Sequence, residues 1–288
     1  VASDLRMPSR VSRHIVAGII LLIPGVMTTH PVSAALDELF RLRVGGVISQ
    51  FDTNVRFTSR DGSIDAGIDL EDDVGYDPEV SAGFIRGWYR VGDNHRIALT
   101  YVPSNRASFI VSEEDIEIGD DIIKAGAGMA WDTQNRLLDV SYIYSVYHRP
   151  NIELGLTAGV YWLRNETEVL VAGEVQSPNE PDPIFRADYR NSFKLHAPLP
   201  ILGVTGEYEI NPSWRVNGEL RYLSVTIDEY DGRIFNAAIG TDYYFNKSLG
   251  VGLSLSSFSL EVDVESLILN GALKWAYNGA QLYVVYKY

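Results

Sequence analysis

Gly279-Ala280-Gln281-Leu282-Tyr283-Val284-Val285-Tyr286-Lys287-Tyr288 is the stretch on which the reading of the fold turns. A β-strand sends alternate side chains to opposite faces. Counting in steps of two, Leu282, Val284, Tyr286 and Tyr288 form one apolar stripe with an aromatic end. A single stripe of this kind also fits a strand of a soluble sandwich, so the decision rests on whether the pattern repeats.

It repeats. In residues 152–162 the even positions Ile152, Leu154, Leu156, Ala158, Val160 and Trp162 oppose Glu153, Gly155, Thr157, Gly159 and Tyr161. Residues 202–210 set Leu202, Val204, Tyr208 and Ile210 against Gly203, Thr205, Glu207 and Glu209. Trp214, Val216, Leu220 and Tyr222 oppose Arg215, Asn217, Glu219 and Arg221. Residues 138–146 and 235–245 alternate in the same way. Period-two alternation over about ten residues, repeated along the chain, is the pattern of a barrel whose outward face meets lipid. After Tyr222 the apolar set shifts to Leu223, Val225 and Ile227, which predicts a β-bulge near 222–223.

Tight turns are expected at Val91–His95, His148–Asn151, Asn211–Ser213 and Asn246–Ser248, each rich in turn residues. Longer or more acidic connections are expected at 60–78, 112–126 and 173–199, with further tips at Tyr230-Asp231-Gly232 and Tyr277-Asn278-Gly279. Short turns on one side and long loops on the other predict about ten antiparallel strands, with both mature termini in the periplasm. Residues 249–276 are too long for one flat strand, and Asp263-Val264-Glu265-Ser266 offers a break, so eight to twelve strands stay open.

Arg6, Arg10 and Arg13 precede the apolar run Ile15–Val26, and small residues follow at Ser33-Ala34-Ala35. A basic region, an apolar run and small residues in that order read as a secretory signal peptide over residues 1–35, with the barrel domain over 36–288. The run is shorter than the ~20 residues of a spanning helix. An exported membrane protein without a spanning helix points to a barrel, since only helices and closed barrels satisfy the backbone in lipid. The chain has no cysteine, which removes disulfides and thiolate metal sites. Its net charge is −14, and removing residues 1–35 takes away three Arg and one Asp to leave 21 basic and 37 acidic residues. That balance excludes a nucleic-acid partner, which needs a basic footprint. Seventeen Tyr and five Trp supply two interfacial girdles.

The C-terminal stripe Leu282, Val284, Tyr286 and Tyr288 resembles the last strand of Gram-negative outer-membrane β-barrels, which ends in an aromatic, usually Phe. That resemblance implies that the barrel-assembly machinery reads these residues as an assembly signal. The chain as a whole resembles small outer-membrane barrels of the OmpA/OmpW-like type. It is also similar to uncharacterised proteobacterial barrels that carry an acidic stretch like Ile68–Tyr76, a turn like Asn94-His95-Arg96-Ile97, and a segment like Pro198–Gly203. The resemblance implies the cell outer membrane as location, outer-membrane lipid and lipopolysaccharide as surroundings, and no known activity.

Alternation places Arg86, Arg96, Asp139, Glu153, Glu207, Glu209, Arg215, Glu219, Arg221 and Asp242 on the non-lipid face. A ten-strand lumen is narrow, so these charges either pair and plug it or line a thin hydrophilic path. Pairing is the expectation. The acidic residues Asp69, Glu71, Asp72 and Asp73 are weak metal candidates, since they lack calcium-loop spacing. No cofactor is expected. Some outer-membrane barrels (the omptin proteases, the outer-membrane phospholipase and the lipid A deacylases) use a rim or wall His with a Ser or carboxylates. Here His95 and His148 fall in the expected periplasmic turns, and His196 in the expected loop 173–199. No nucleophile-elbow or zinc-binding motif is present. The expected role is structural or narrow-pore and non-enzymatic, with acidic outer loops. Two alternatives remain: an outer-membrane enzyme acting on lipid or peptide, and a surface adhesion or receptor barrel.

Overall fold

The computed structural model describes residues 36–288, apart from 60–64, 113–114, 119–120, 178–181, 228–229 and 265–268. The signal-peptide reading of 1–35 lies outside the described residues. The elements are β1 (Phe40–Ser59), β2 (Asp65–Asp69), β3 (Glu79–Gly92), β4 (His95–Val111), β5 (Ile116–Ile118), β6 (Asp121–Ile123), β7 (Gly128–Arg149), β8 (Ile152–Gln176), β9 (Ile184–Asn211), β10 (Trp214–Ile227), β11 (Tyr230–Tyr244), β12 (Leu249–Val264) and β13 (Leu269–Lys287).

Ten long strands pair antiparallel with their neighbours, and β1 pairs β13 to close the ring. The seam is continuous from Arg41 opposite Lys287 to Ser59 opposite Leu269. At its foot the Tyr288 carbonyl accepts from the amides of Leu39 (2.7 Å) and Phe40 (3.0 Å), and the Tyr288 amide donates back to Phe40 O (2.9 Å). Closure pairs both sides of the strands between the two girdles, the condition for a sheet in lipid. The short β2 pairs only with β1, and the β5–β6 hairpin joins β8 through Ile122 and Ile123.

The outward face is apolar because alternation continues unbroken around the ring. Leu154, Leu156, Trp162, Leu202, Val204, Leu220, Tyr222, Ile239, Leu282 and Val284 are exposed to the surroundings. Aromatics cluster at two heights: Tyr144, Tyr208, Trp214, Tyr243, Phe245, Tyr286 and Tyr288 near the tight turns, and Tyr101, Trp162, Tyr222 and Phe235 higher up. From Trp214 to Tyr222 the strand runs ~27 Å at ~3.4 Å per residue, or about 21 Å across a bilayer at a tilt of ~40°. That matches the ~25 Å apolar band of outer-membrane barrels.

The four tight turns fall where the turn residues place them. Asn211 Oδ1 accepts from the amides of Ser213 (2.9 Å) and Trp214 (3.0 Å), and Asn246 Oδ1 from Ser248 (2.9 Å) and Leu249 (2.8 Å). Four expectations need correction. Residues 173–199 are mostly strand, because β8 runs to Gln176 and β9 starts at Ile184. Asp231-Gly232 lies in β11, paired with Thr226 and Val225, and so is not a hairpin tip. Tyr277-Asn278-Gly279 lies inside β13, which begins at Leu269, while β12 ends at Val264, within the suspected break. No bulge occurs at 222–223: Tyr222 opposes Phe235 and Leu223 opposes Ile234 in regular register. Register shifts occur instead at Arg90/Gly92, Ser145/Tyr147 and Trp214/Arg215, all beside tight turns, and at Val171/Gly173. Bulges concentrate at barrel rims, where they bend a strand into its turn.

Tyr288 is outward-facing and 76% exposed, so its side chain contributes little packing within the chain. Tyr288→Asp is expected to reduce the folded, membrane-inserted fraction severalfold, read by heat-modifiable gel migration of outer-membrane fractions. A charge near the interface itself costs only about 0–1 kcal/mol. Wild-type levels of the substituted protein would remove the assembly-signal reading.

Candidate functional site

The barrel interior is built in layers. Nearest the tight turns lies a floor of paired charges. Arg41 meets Glu38, and its Nη1 lies 2.7 Å from Glu207 Oε2. Arg96 donates to Glu207 Oε1 at 2.9 Å and lies 3.5 Å from Glu153. Arg90 grips both oxygens of Glu153 at 3.1 and 2.9 Å, and Ser145 donates to the same carboxylate. Arg215 meets Glu38 and lies 2.9 Å from Glu209. Arg43 and the Tyr283 hydroxyl each donate to Asp242 at 2.8 Å. Among these charges stands Trp88: the guanidinium carbons of Arg41, Arg90 and Arg96 lie 4.9, 5.6 and 4.9 Å from its ring centroid. An indole face attracts such cations.

Nine of the ten barrel strands contribute a side chain to this floor. β12 contributes an absence of one. A Cβ on Gly252 would collide with the Tyr283 ring and stand 2.6 Å from Asp242 Oδ1. Glycine at this position lets Tyr283 lie across the lumen.

A second charged layer sits above the floor. Arg221 donates to Asp139 at 2.9 Å, Glu219 at 3.1 Å, Ser141 at 3.2 Å and the Tyr161 hydroxyl at 3.4 Å. Arg86 donates to Thr100 at 3.1 Å and Glu219 at 3.2 Å. Gly203 makes room here, since a Cβ on it would stand 2.7 Å from Arg221 Cα. All ten charges assigned to the non-lipid face lie inside the ring, and each one has an oppositely charged partner there. Glu38, Arg41, Arg43, Arg90 and Lys287 belong to the same interior and escaped the sequence reading. Lys287 was open to it: the count that sends Tyr286 and Tyr288 outward sends Lys287 inward.

Above the charges the lumen becomes apolar. Tyr161, Leu163, Ile201, Ile234, Phe258 and Leu260 form one buried cluster, joined by Trp275 and Tyr277. The Phe258 and Tyr277 rings stack at 5.2 Å. This change of lining explains the slip after Tyr222: Leu223 opposes the buried Ile234 because the interior at that height is apolar.

The connection from β2 to β3 folds over this cluster. Val74 and Tyr76 are buried, and the Tyr76 and Thr133 hydroxyls lie 2.7 Å apart. Arg106 donates to Glu71 at 2.5 Å and stacks over Phe51 and Tyr76 at 5.0 and 4.7 Å. Farther out, Ile123, Ala127, Met129, Val169, Val171 and Val175 join the β6 end of the hairpin to the inner faces of β7 and β8. In that hairpin, Lys124 and the Ala125 amide donate to Asp115 at 2.7 and 3.0 Å and hold its carboxyl below the usual carboxylate range.

The metal candidates have protein partners. Glu71 binds Arg106 and the Thr53 amide (2.7 Å); Asp69 accepts from the amides of Glu71 and Asp72 at 3.0 Å; Asp73 accepts from the Asp69 amide at 2.7 Å; Asp72 is exposed. Among the described residues no three His, Asp or Glu side chains converge on a metal position. The histidines stand apart. His95 Nδ1 lies 2.5 Å from the Tyr142 hydroxyl, and His148 lies 3.2 Å from Asp37. His196 is exposed on β9 opposite Arg164, with no Ser or carboxylate hydrogen-bonded to it among the described residues.

No family model matches the chain, and no curated protein matches it. Among solved structures it is similar to the outer membrane protease OmpT of Escherichia coli, at 12% identity over 86% of this chain and 97% of that one, with a TM-score of 0.50. It is also similar to the outer membrane protein OprG of Pseudomonas aeruginosa (11% identity, 89% and 99% coverage, TM-score 0.35) and to the toluene transporter TodX of Pseudomonas putida (9%, 89% and 91%, 0.35). At these identities the likeness is one of fold. The closed ring and its apolar belt between two aromatic girdles, with the OmpT-like fold, make this chain an integral membrane β-barrel of the outer-membrane type.

Proposed function

We propose that this protein is a sealed structural barrel, which displays acidic outer loops and whose lumen carries no diffusive flux. The floor supports this reading. Charged side chains from seven strands meet there as ion pairs, joined by Ser145 and Tyr283 from two more, and they leave interior spaces of about 80 Å³ beside the aromatic cluster and about 70 Å³ among the arginines. Spaces of that size hold a few waters each, which favours a packed interior over an open channel. Asp72, Asp73 and Asp77 stand exposed at the outer end, which keeps that rim soluble. The test is solute uptake by proteoliposomes that contain the heat-modifiable, folded protein. Arabinose should enter no faster than into protein-free liposomes. Swelling at the rate given by a general porin would overturn the proposal.

A further inference from the structure

β7, β8 and β9 continue above the upper girdle, and their outward faces carry a row of basic side chains at one height. Leu138, Trp162 and Pro198 are cross-strand partners, and Trp162 is 55% exposed. An outward indole at that level marks the boundary between acyl chains and headgroups. Two residues farther up each strand, Arg136, Arg164 and His196 oppose one another directly, and all three are exposed. Two residues of tilted strand rise about 5 Å, which sets the row among the headgroups.

Carboxylates on the rungs above compensate the row in part and leave Arg136 without one among the described residues. Cross-strand partners have Cβ atoms ~4.5–5.5 Å apart, and like charges so placed repel. Arg164 has Glu166 at 3.1 Å, whereas Arg136 meets only the neutral amide of Gln134, at 3.4 Å, among the described residues. Lys194 opposes Glu166 on the next rung and adds a further positive charge. Elsewhere on the outer wall the cations are matched: Arg233 has Glu261 and Asp263, and Lys274 has Asp52. Beside the row lies a polar groove of about 420 Å³, lined by the carboxylates of Asp132, Glu166 and Glu168 together with Gln134, Arg190, Asn191 and Lys194, a set suited to sugar hydroxyls.

Guanidinium groups bind phosphate in a bidentate manner, and basic clusters at a membrane surface bind anionic headgroups. We propose that Arg136, Arg164 and His196 form a binding site for the phosphorylated headgroup of an outer-leaflet glycolipid, with the groove taking part of its sugar. The site lies on the outer wall and does not rest on the sealed-lumen reading.

The test is binding of fluorescent bisphosphorylated lipid A to the folded full-length protein in detergent, compared with dephosphorylated lipid A, phosphatidylglycerol and sodium phosphate. The wild type should prefer the bisphosphorylated form by roughly ten-fold or more, and the R136Q/R164Q pair should lose that preference, consistent with two charge-assisted contacts. The control pair R233Q/K274Q should retain it. Unchanged preference in R136Q/R164Q, or none in the wild type, would overturn the site. Equal affinity for phosphatidylglycerol would overturn the glycolipid assignment. Displacement of lipid A by equimolar sodium phosphate would show a free-anion site and overturn the lipid assignment. Should the double variant fail to fold, the wild-type comparison of the two lipid A forms decides.

Discussion

Arg221→Ala should destabilise the barrel by about 3–5 kcal/mol, the usual cost of breaking a buried ion pair by removing one member. Arg221 is 3% exposed and binds Asp139 and Glu219 at once. Among the described residues its loss leaves Asp139 with the Ser141 hydroxyl, at 2.5 Å, and Glu219 with Arg86 and a long contact from Asn236. Leu220, the preceding residue, faces lipid. Leu220→Ala should cost about 1–2 kcal/mol, the value of the lost apolar burial. Urea titrations of both variants in lipid vesicles, followed by tryptophan fluorescence, give the comparison. Equal losses would mean that water screens the interior charges.

Trp88→Ala should cost about as much, 3–5 kcal/mol for a large buried aromatic. Here the loss has a second component. Arg41, Arg90 and Arg96 all stack on this one ring, and each cation–π contact contributes roughly 0.5–2 kcal/mol. Trp88→Phe keeps a π face and should retain more stability than Trp88→Leu, which fills much of the same volume without one. Equal stability of the Phe and Leu variants in the same titration would show that the ring serves as filler.

The parts of the fold legible in the sequence were those where the two faces of a strand differ. Trp214 to Tyr222 alternates because lipid lies on one side and ion pairs on the other, and the same contrast marked Arg215, Glu219 and Arg221 as interior. Where both sides are polar the pattern vanishes. Residues 173–199 read as a loop, yet Arg190-Asn191-Ser192 is strand, held by ladder bonds to β8. Asn278-Gly279 reads as a hairpin tip. In the fold Gly279 instead lies against Ser49 Oγ, 2.8 Å from where its Cβ would stand, a close approach that local sequence does not encode. Which charges pair depends on register and barrel closure: Arg43 and Asp242 meet across the lumen from strands 199 residues apart. The inward fold of Glu71 and Tyr76 depends likewise on Arg106 and Thr133, supplied by other strands.

The central claim is that paired charges close the lumen, and single-channel recording of the purified wild type in planar bilayers tests it most directly. The predicted record is flat, with no steady current steps across the voltage range in which the barrel remains folded. Long-lived steps of uniform size would contradict it, since they require a continuous water path through the floor of Glu38, Arg41, Arg96, Glu153, Glu207 and Arg215.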